Sequence, residues 1–341
     1  PIWIVGLMLL VSGLLVSSIF NGDSLRGLIV SAQYVTGYFI VPLVILQRPR
    51  WQVSILVKTF VLSIFVMGIH GIYLIHIDGA VNTRFVSGSG RLMSFVEREN
   101  ECASLFAMTF PLLFWLAGMR YIRITTFVIC FTVFSYGIML TGSNTGLLGM
   151  LYACFVYLAL TSLTSLRRLI LVLSGAIALV FLLSLVAGTL GRALLPPVFQ
   201  RRVLGALQSG DLAEAGSFSG RYELIREGLE MVENTTLLGL GADQYRLLSD
   251  FGQPVHNAYL LIWAEGGLFA MMGFVFIILA ALSIIPGTIR REGARTAWVC
   301  TFSSVSLFAL LVNTVPHVYG RFWTVPLFLG VAVGLAQSQN T

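Results

Sequence analysis

Ten stretches of this chain, near 2–20, 25–46, 51–77, 102–118, 122–140, 145–164, 169–190, 256–285, 297–315 and 322–336, are apolar over a length that suits a bilayer crossing. About 20 mostly apolar residues cover roughly 30 Å of hydrocarbon, and within that layer backbone amides must be bonded inside the segment, which a helix does. The rest of the composition agrees. Only 11% of residues are charged and mean hydropathy is +0.89, whereas soluble chains carry about 25% charge. The predicted fold class is all-α: a polytopic integral membrane helical protein with about ten spans and one large, partly helical loop. The least defined boundaries fall at 141–145 and 316–322. Pro1 is not an initiating Met, which leaves room for a further span upstream, and no cleavable signal peptide is recognisable.

Short-loop charges set the expected orientation. Arg48 and Arg50, Arg120 and Arg123, Arg167 and Arg168, and Arg290, Arg291 and Arg295 fall in alternate connections, as they do when those loops are cytoplasmic. Odd-numbered spans then run outward. The layout becomes seven helices over 1–190, a large outer loop at 191–255, and three helices over 256–341. The loop stands out, because long connections in compact proteins tend to be functional.

Eleven arginines (Arg26, Arg84, Arg91, Arg98, Arg192, Arg201, Arg202, Arg221, Arg226, Arg246 and Arg321) fall on the outer side or its rim, against the same rule. Of 21 basic residues only Lys58 is Lys. Arg presents a planar fork that meets phosphate oxygens two at a time. Taken singly, these arginines can snorkel to headgroups or pair with the eight carboxylates of the long loop. As a set on the outer side they point to an anionic ligand, and the membrane setting makes a lipid phosphate or pyrophosphate the natural candidate. Nucleic acid is excluded as a partner, since no extended soluble basic surface exists.

Within the loop, 219–233 reads as an amphipathic helix, with Tyr222, Ile225, Leu229 and Val232 spaced by three and four and Ser219 as N-cap. Arg221 then sits in the first turn, beside unpaired amides and the positive end of the helix dipole. It is either an anion site or a surface arginine tied to Glu223 or Glu227. Leu237-Leu238-Gly239-Leu240-Gly241 reads as a tight connection, lacking phosphate-loop spacing. His256 closes the loop where the next span begins. At a helix N-terminus the ring stays neutral and can accept a proton from a hydroxyl, with Asn257 orienting ring or substrate; the alternative is a structural histidine at the membrane rim. His70, His76 and His317 show no zinc spacing.

Glu265 lies well inside the eighth span, where a lipid-facing charge costs about 2.5–3.5 kcal/mol, so it is expected to face protein and bond a neighbouring helix. Nine residues past His256, it falls on roughly the opposite helical face. Glu97, Glu99 and Glu101 could hold a divalent cation, but no Asp-x-Asp pair accompanies them, and no metal is expected. Cys102, Cys130, Cys154 and Cys300 read as small apolar fillers.

Taken in order, Thr141-Gly142-Ser143-Asn144-Thr145-Gly146, Ser219-Gly220-Arg221, Leu237-Leu238-Gly239-Leu240-Gly241 and His256-Asn257-Ala258-Tyr259-Leu260 with Glu265-Gly266-Gly267 resemble the bacterial O-antigen ligases, which share a superfamily with O-antigen polymerases. The resemblance implies a cofactor-free, metal-independent glycosyltransferase of the bacterial inner membrane with its active site facing the periplasm. It would move a polysaccharide from undecaprenyl pyrophosphate to a sugar hydroxyl of lipid A–core, with inversion at the anomeric carbon. His256 would be the activating base and Arg221 would hold the pyrophosphate. Arg84 and Arg91 fit the family's basic outer segments. Many relatives carry Arg where this chain has Asn144, which shifts phosphate binding toward Arg84, Arg91, Arg192 and Arg201. A polymerase that extends the lipid-linked glycan is the near alternative. A lipid-linked sugar flippase or transporter is the distant one, and intramembrane charges amount to little beyond Lys58 and Glu265.

Overall fold

A computed structural model describes residues 2–162, 195–205, 218–286, 294–317 and 322–338. Among the described residues helices are the only regular elements, with one isolated bridge between Val86 and Leu92 in the 77–98 connection. Among these residues seven helices are long and apolar enough to cross a membrane: Ile2–Asn21, Ser24–Ile45, Arg50–His76, Glu99–Gly118, Ile124–Thr141, Asn144–Thr161 and Ala258–Leu282. Arg295–Leu311 and Thr324–Ala336 are apolar but shorter. The expected ninth span, 297–315, stops early because Val312 to Thr314 turn out of the helix. The expected seventh, 169–190, lies outside the described residues.

The chain forms two compact units, one of 1–53, 217–291 and 304–341, the other of 54–216 and 292–303. In the first, α1 (Ile2–Asn21) packs along the helix Ala258–Leu282. Small residues permit the approach. A Cβ on Gly6 would stand 2.7 Å from the Gly273 carbonyl oxygen, and one on Gly13 would stand 2.8 Å from the Gly266 oxygen. Close backbone contact of this kind is how helices associate where lipid removes the hydrophobic drive. α2 (Ser24–Val35) begins at Asp23, whose side chain accepts from the Leu25 and Arg26 amides. It widens into a π turn at Thr36–Ile40 and continues as α3 (Val41–Leu46). The cause is Pro42, which has no N–H to give and clashes with the carbonyl four residues back. That carbonyl belongs to buried Tyr38, and the Trp3 indole N–H donates to it at 2.9 Å instead.

The second unit is built around α5 (Glu99–Gly118), buried along almost its whole length, with α6 (Ile124–Thr141) and α7 (Asn144–Ser162) against it. Gly137 and Gly146 make room for Phe106 and Ala103. α4 (Arg50–His76) joins through Gly68, whose missing Cβ is filled by Val133. The 141–145 boundary is sharp. Gly142 turns left-handed (φ 58°) to end α6, and the Ser143 hydroxyl accepts from the Gly146 amide to open α7.

Candidate functional site

The helix α9 (Phe218–Asn234) follows a short helix α8 (Pro197–Phe199) with its π extension Gln200–Leu204. Ser219 lies inside α9 and is not its cap. The buried face also differs from the expected one. Tyr222, Ile225 and Leu229 are exposed, while Leu224 and Val232 are buried. Two apolar stripes run along this helix, and the one bearing Leu224 packs inward, in one cluster with Tyr245, Val255, Leu260, Leu261 and Ala264. Gly228 touches Leu260 so closely that a Cβ would meet its Cδ2 at 2.8 Å. Arg221 precedes Gly228 by two turns on the same helical face and is half-buried.

Glu227 fastens α9 to the segment after it. Its carboxylate accepts from the Tyr245 hydroxyl (3.2 Å), the Ser249 hydroxyl (2.8 Å) and the Asp250 amide (2.7 Å). The Tyr245 hydroxyl also donates to the Leu224 carbonyl at 3.0 Å. Burial, and then the neighbouring Glu227 charge, push the Tyr245 phenol well above its usual range, so it stays protonated and donating.

The helix α11 (Ala258–Leu282) begins beside this cluster. Asn257 is its N-cap, accepting from the Leu260 amide at 3.1 Å, and its Nδ2 donates to Asn313 at 3.3 Å. Asn257 therefore holds the helix start. His256 stands one residue ahead of that cap, half-buried, with Nδ1 enclosed. The expected position at a helix N-terminus is met, directly after buried Val255.

α11 is broken in its middle. Gly267 adopts φ 77° and ψ 178°, which releases the carbonyls around it. The 237–242 segment supplies the replacement donors: Leu240 N–H to the Ala264 oxygen (2.8 Å) and Gly241 N–H to the Glu265 oxygen (2.9 Å). Gly239 N–H reaches the Ser17 hydroxyl and Ala242 N–H the Ser18 hydroxyl, both at 2.9 Å. What reads in sequence as a tight connection is a wedge into a membrane-spanning helix, admissible because it is buried in protein. Glu265, buried as expected, accepts from the Tyr245 amide at 3.4 Å, at the start of the short helix α10 (Tyr245–Leu248). Asp243 pairs with Arg26 and Arg246 beside it. Gly239, Gly241, Gly266 and Gly267 are the sequence signal for this junction, but their spacing does not say that they meet.

The second unit holds the other predicted arginines. Arg91 is buried, donating to the Thr141 carbonyl (2.7 Å) and Asn100 (3.1 Å), with Glu99 at 3.6 Å. Its fork clasps the 141–143 turn to the start of α5. Arg84 is exposed. Arg201 is exposed and lines a cavity of about 210 Å³ with Gly79, Ser89, Leu140 and Pro197. Arg192 lies outside the described residues. Among the described residues no three His, Cys, Asp or Glu side chains gather as metal ligands. None of the four cysteines is in a disulfide; Cys102, Cys130 and Cys300 are buried and Cys154 is half-buried, as fillers are.

These helices define a multi-pass helical membrane protein, with a polar segment wedged into one of its spanning helices. Residues 126–275 match the model of the O-antigen ligase family. The match takes in Arg201, Arg221, His256 and the wedge, whereas Arg84 and Arg91 precede it. No curated protein matches the chain.

Proposed function

We propose that this chain is an O-antigen ligase: a glycosyltransferase of the bacterial inner membrane that transfers O-antigen polysaccharide, on the periplasmic face, from undecaprenyl pyrophosphate to lipid A–core. One observation carries the reading. His256 directly precedes the Asn257 cap of α11, on the buried cluster that also seats α9, the helix bearing Arg221.

The donor is already activated, so two tasks remain: neutralising charge on the departing pyrophosphate and removing one proton from the acceptor. The acceptor oxygen forms its bond to the anomeric carbon as the bond from that carbon to the pyrophosphate oxygen breaks, with inversion. His256 takes the hydroxyl proton. Nδ1 is enclosed, which leaves Nε2 as the ring nitrogen for that transfer. Arg221 holds the leaving pyrophosphate. Arg84 and Arg201, both exposed, suit donor binding better than Arg91, which clasps its own protein. Arg192 remains proposed for donor binding on the sequence reading, and Asn257 contributes by fixing the backbone beside His256. Fixed arginine charge makes a divalent metal unnecessary.

The test is transfer in proteoliposomes holding the undecaprenyl-pyrophosphate-linked glycan and lipid A–core. Glycan should appear on lipid A–core at an unchanged rate in EDTA, and His256→Ala should lower it by a factor of about 10²–10⁴, the usual contribution of acid–base catalysis. Normal transfer by a well-expressed His256→Ala variant removes His256 from the mechanism. Loss in EDTA with rescue by Mg²⁺ overturns the arginine clamp. Glycan growing on its carrier instead identifies a polymerase, and movement of the carrier across the vesicle without transfer identifies a transporter.

A further inference from the structure

The second unit has a cavity of about 320 Å³ lined by Lys58, Leu62 and Phe65 of α4, Leu116 of α5, and Thr126 and Ile129 of α6. All three helices are long and apolar enough to span a membrane. The cavity is a groove open to the surroundings: Leu62 is 60% exposed and Ile129 54%. At membrane depth such a groove meets acyl chains, and its apolar lining suits them.

Its polar end is unusual for this chain. Lys58, the one lysine in the sequence, places its ammonium 5.2 Å from the centre of the Tyr121 ring. Tyr121 sits in the connection between α5 and α6, which also carries exposed Arg120 and Arg123. The ammonium is thus drawn toward the helix ends, as snorkelling lysines are. Lys58 lines the groove, and Arg120 and Arg123 flank its lining residue Ile122 in the chain, so three cations belong to this end of it. Neither 50–77 nor 102–210 contains an Asp or Glu, and among the described residues none of the three forms an ion pair. An apolar groove under a cationic rim that has no ion pair among the described residues complements an amphiphile with a negative head.

We propose that the groove between α4, α5 and α6 is a binding site for an anionic phospholipid, with an acyl chain along Leu62, Phe65 and Ile129 and its phosphate against Lys58, Arg120 and Arg123. The site uses none of the residues assigned to the proposed transfer chemistry, and its occupant comes from the leaflet that faces the Arg120–Arg123 connection.

Native mass spectrometry of the purified protein, titrated with phosphatidylglycerol and with phosphatidylethanolamine of the same acyl chains, tests this. Wild type should retain phosphatidylglycerol preferentially. Each cation near a lipid surface contributes about fivefold in affinity, so Lys58→Gln with Arg120→Gln and Arg123→Gln should bring phosphatidylglycerol down to the level of phosphatidylethanolamine. Leu62→Trp, which fills the groove and leaves the cations in place, should displace phosphatidylglycerol from an otherwise intact protein, and it provides the test where the triple variant fails to fold. Equal retention of the two lipids by wild type, or unchanged phosphatidylglycerol retention in either variant, overturns the site.

Discussion

Three donors converge on the Glu227 carboxylate, one of them a buried phenol, so its removal acts on more than a surface charge. Glu227→Ala leaves the Asp250 amide without its acceptor and the Tyr245 hydroxyl with the Leu224 carbonyl alone. Unmet groups of this kind cost about 1–3 kcal/mol, so the unfolding temperature followed by intrinsic fluorescence should fall, with transfer activity falling beside it. An unchanged melting curve would mean the three contacts contribute nothing in solution. Arg221, on the helix that Glu227 fastens, is tested differently. Arg221→Lys keeps the charge and loses the fork, so transfer should drop about tenfold, and Arg221→Ala should drop it about a hundredfold, the range of charge-assisted hydrogen bonds. A lysine variant equal to wild type would reduce the contact to plain electrostatics. At this scale the sequence was informative about residue types and less so about their work. His256 stands at the helix start its position implied, yet Asn257, read as orienting ring or substrate, caps the helix, and Arg91, read as a donor ligand, is engaged with Thr141 and Asn100. Partner choice depends on contacts between positions far apart in the chain, which spacing does not encode.

Apolar length made the helices legible, since it is a local property that the bilayer enforces. The break in α11 was not. Gly267 lies among residues hydrophobic enough for an unbroken span, and only a second segment brought from about 25 residues earlier reveals why it turns left-handed. The same applies to α9. Its sequence carries two apolar stripes, and periodicity alone favoured Tyr222, Ile225 and Leu229 over the stripe with Leu224 that packs. The wedge gives a prediction at this scale. A Cβ on Gly239 would stand 2.3 Å from the carbonyl carbon and oxygen of Glu265, and one on Gly267 would stand 2.1 Å from the Leu237 oxygen. Both obstacles are backbone, so neither can rotate away. Gly239→Ala and Gly267→Ala should each destabilise by at least about 1–3 kcal/mol, the range for overpacked cores, read as a lowered unfolding temperature in detergent. Gly267→Ala should be the worse of the two, because its φ of 77° adds strain for any side chain. A stable Gly239→Ala variant would mean that the segment does not dock into α11 as described.

Across the whole molecule, the transfer reading depends on which side of the membrane His256 faces. The short arginine-bearing connections, Arg48 with Arg50 and Arg120 with Arg123 among them, fall in alternate loops, as expected if they are cytoplasmic. The proposed reaction requires the 120–123 connection to be cytoplasmic and His256 to face outside, where a lipid-linked polysaccharide would be presented. Single cysteines decide it. Asp250 and Arg123 are both exposed and sit in these two regions. The native thiols give little background, since Cys102, Cys130 and Cys300 are buried and Cys154 is half-buried. In intact spheroplasts a membrane-impermeant maleimide should label Asp250→Cys and leave Arg123→Cys unlabelled until the membrane is permeabilised. Labels in the opposite sense would turn the proposed base toward the cytoplasm, where neither the donor glycan nor the lipid A–core acceptor of a periplasmic ligase could reach it. The fold and the family match would stand, and the ligase reaction would not.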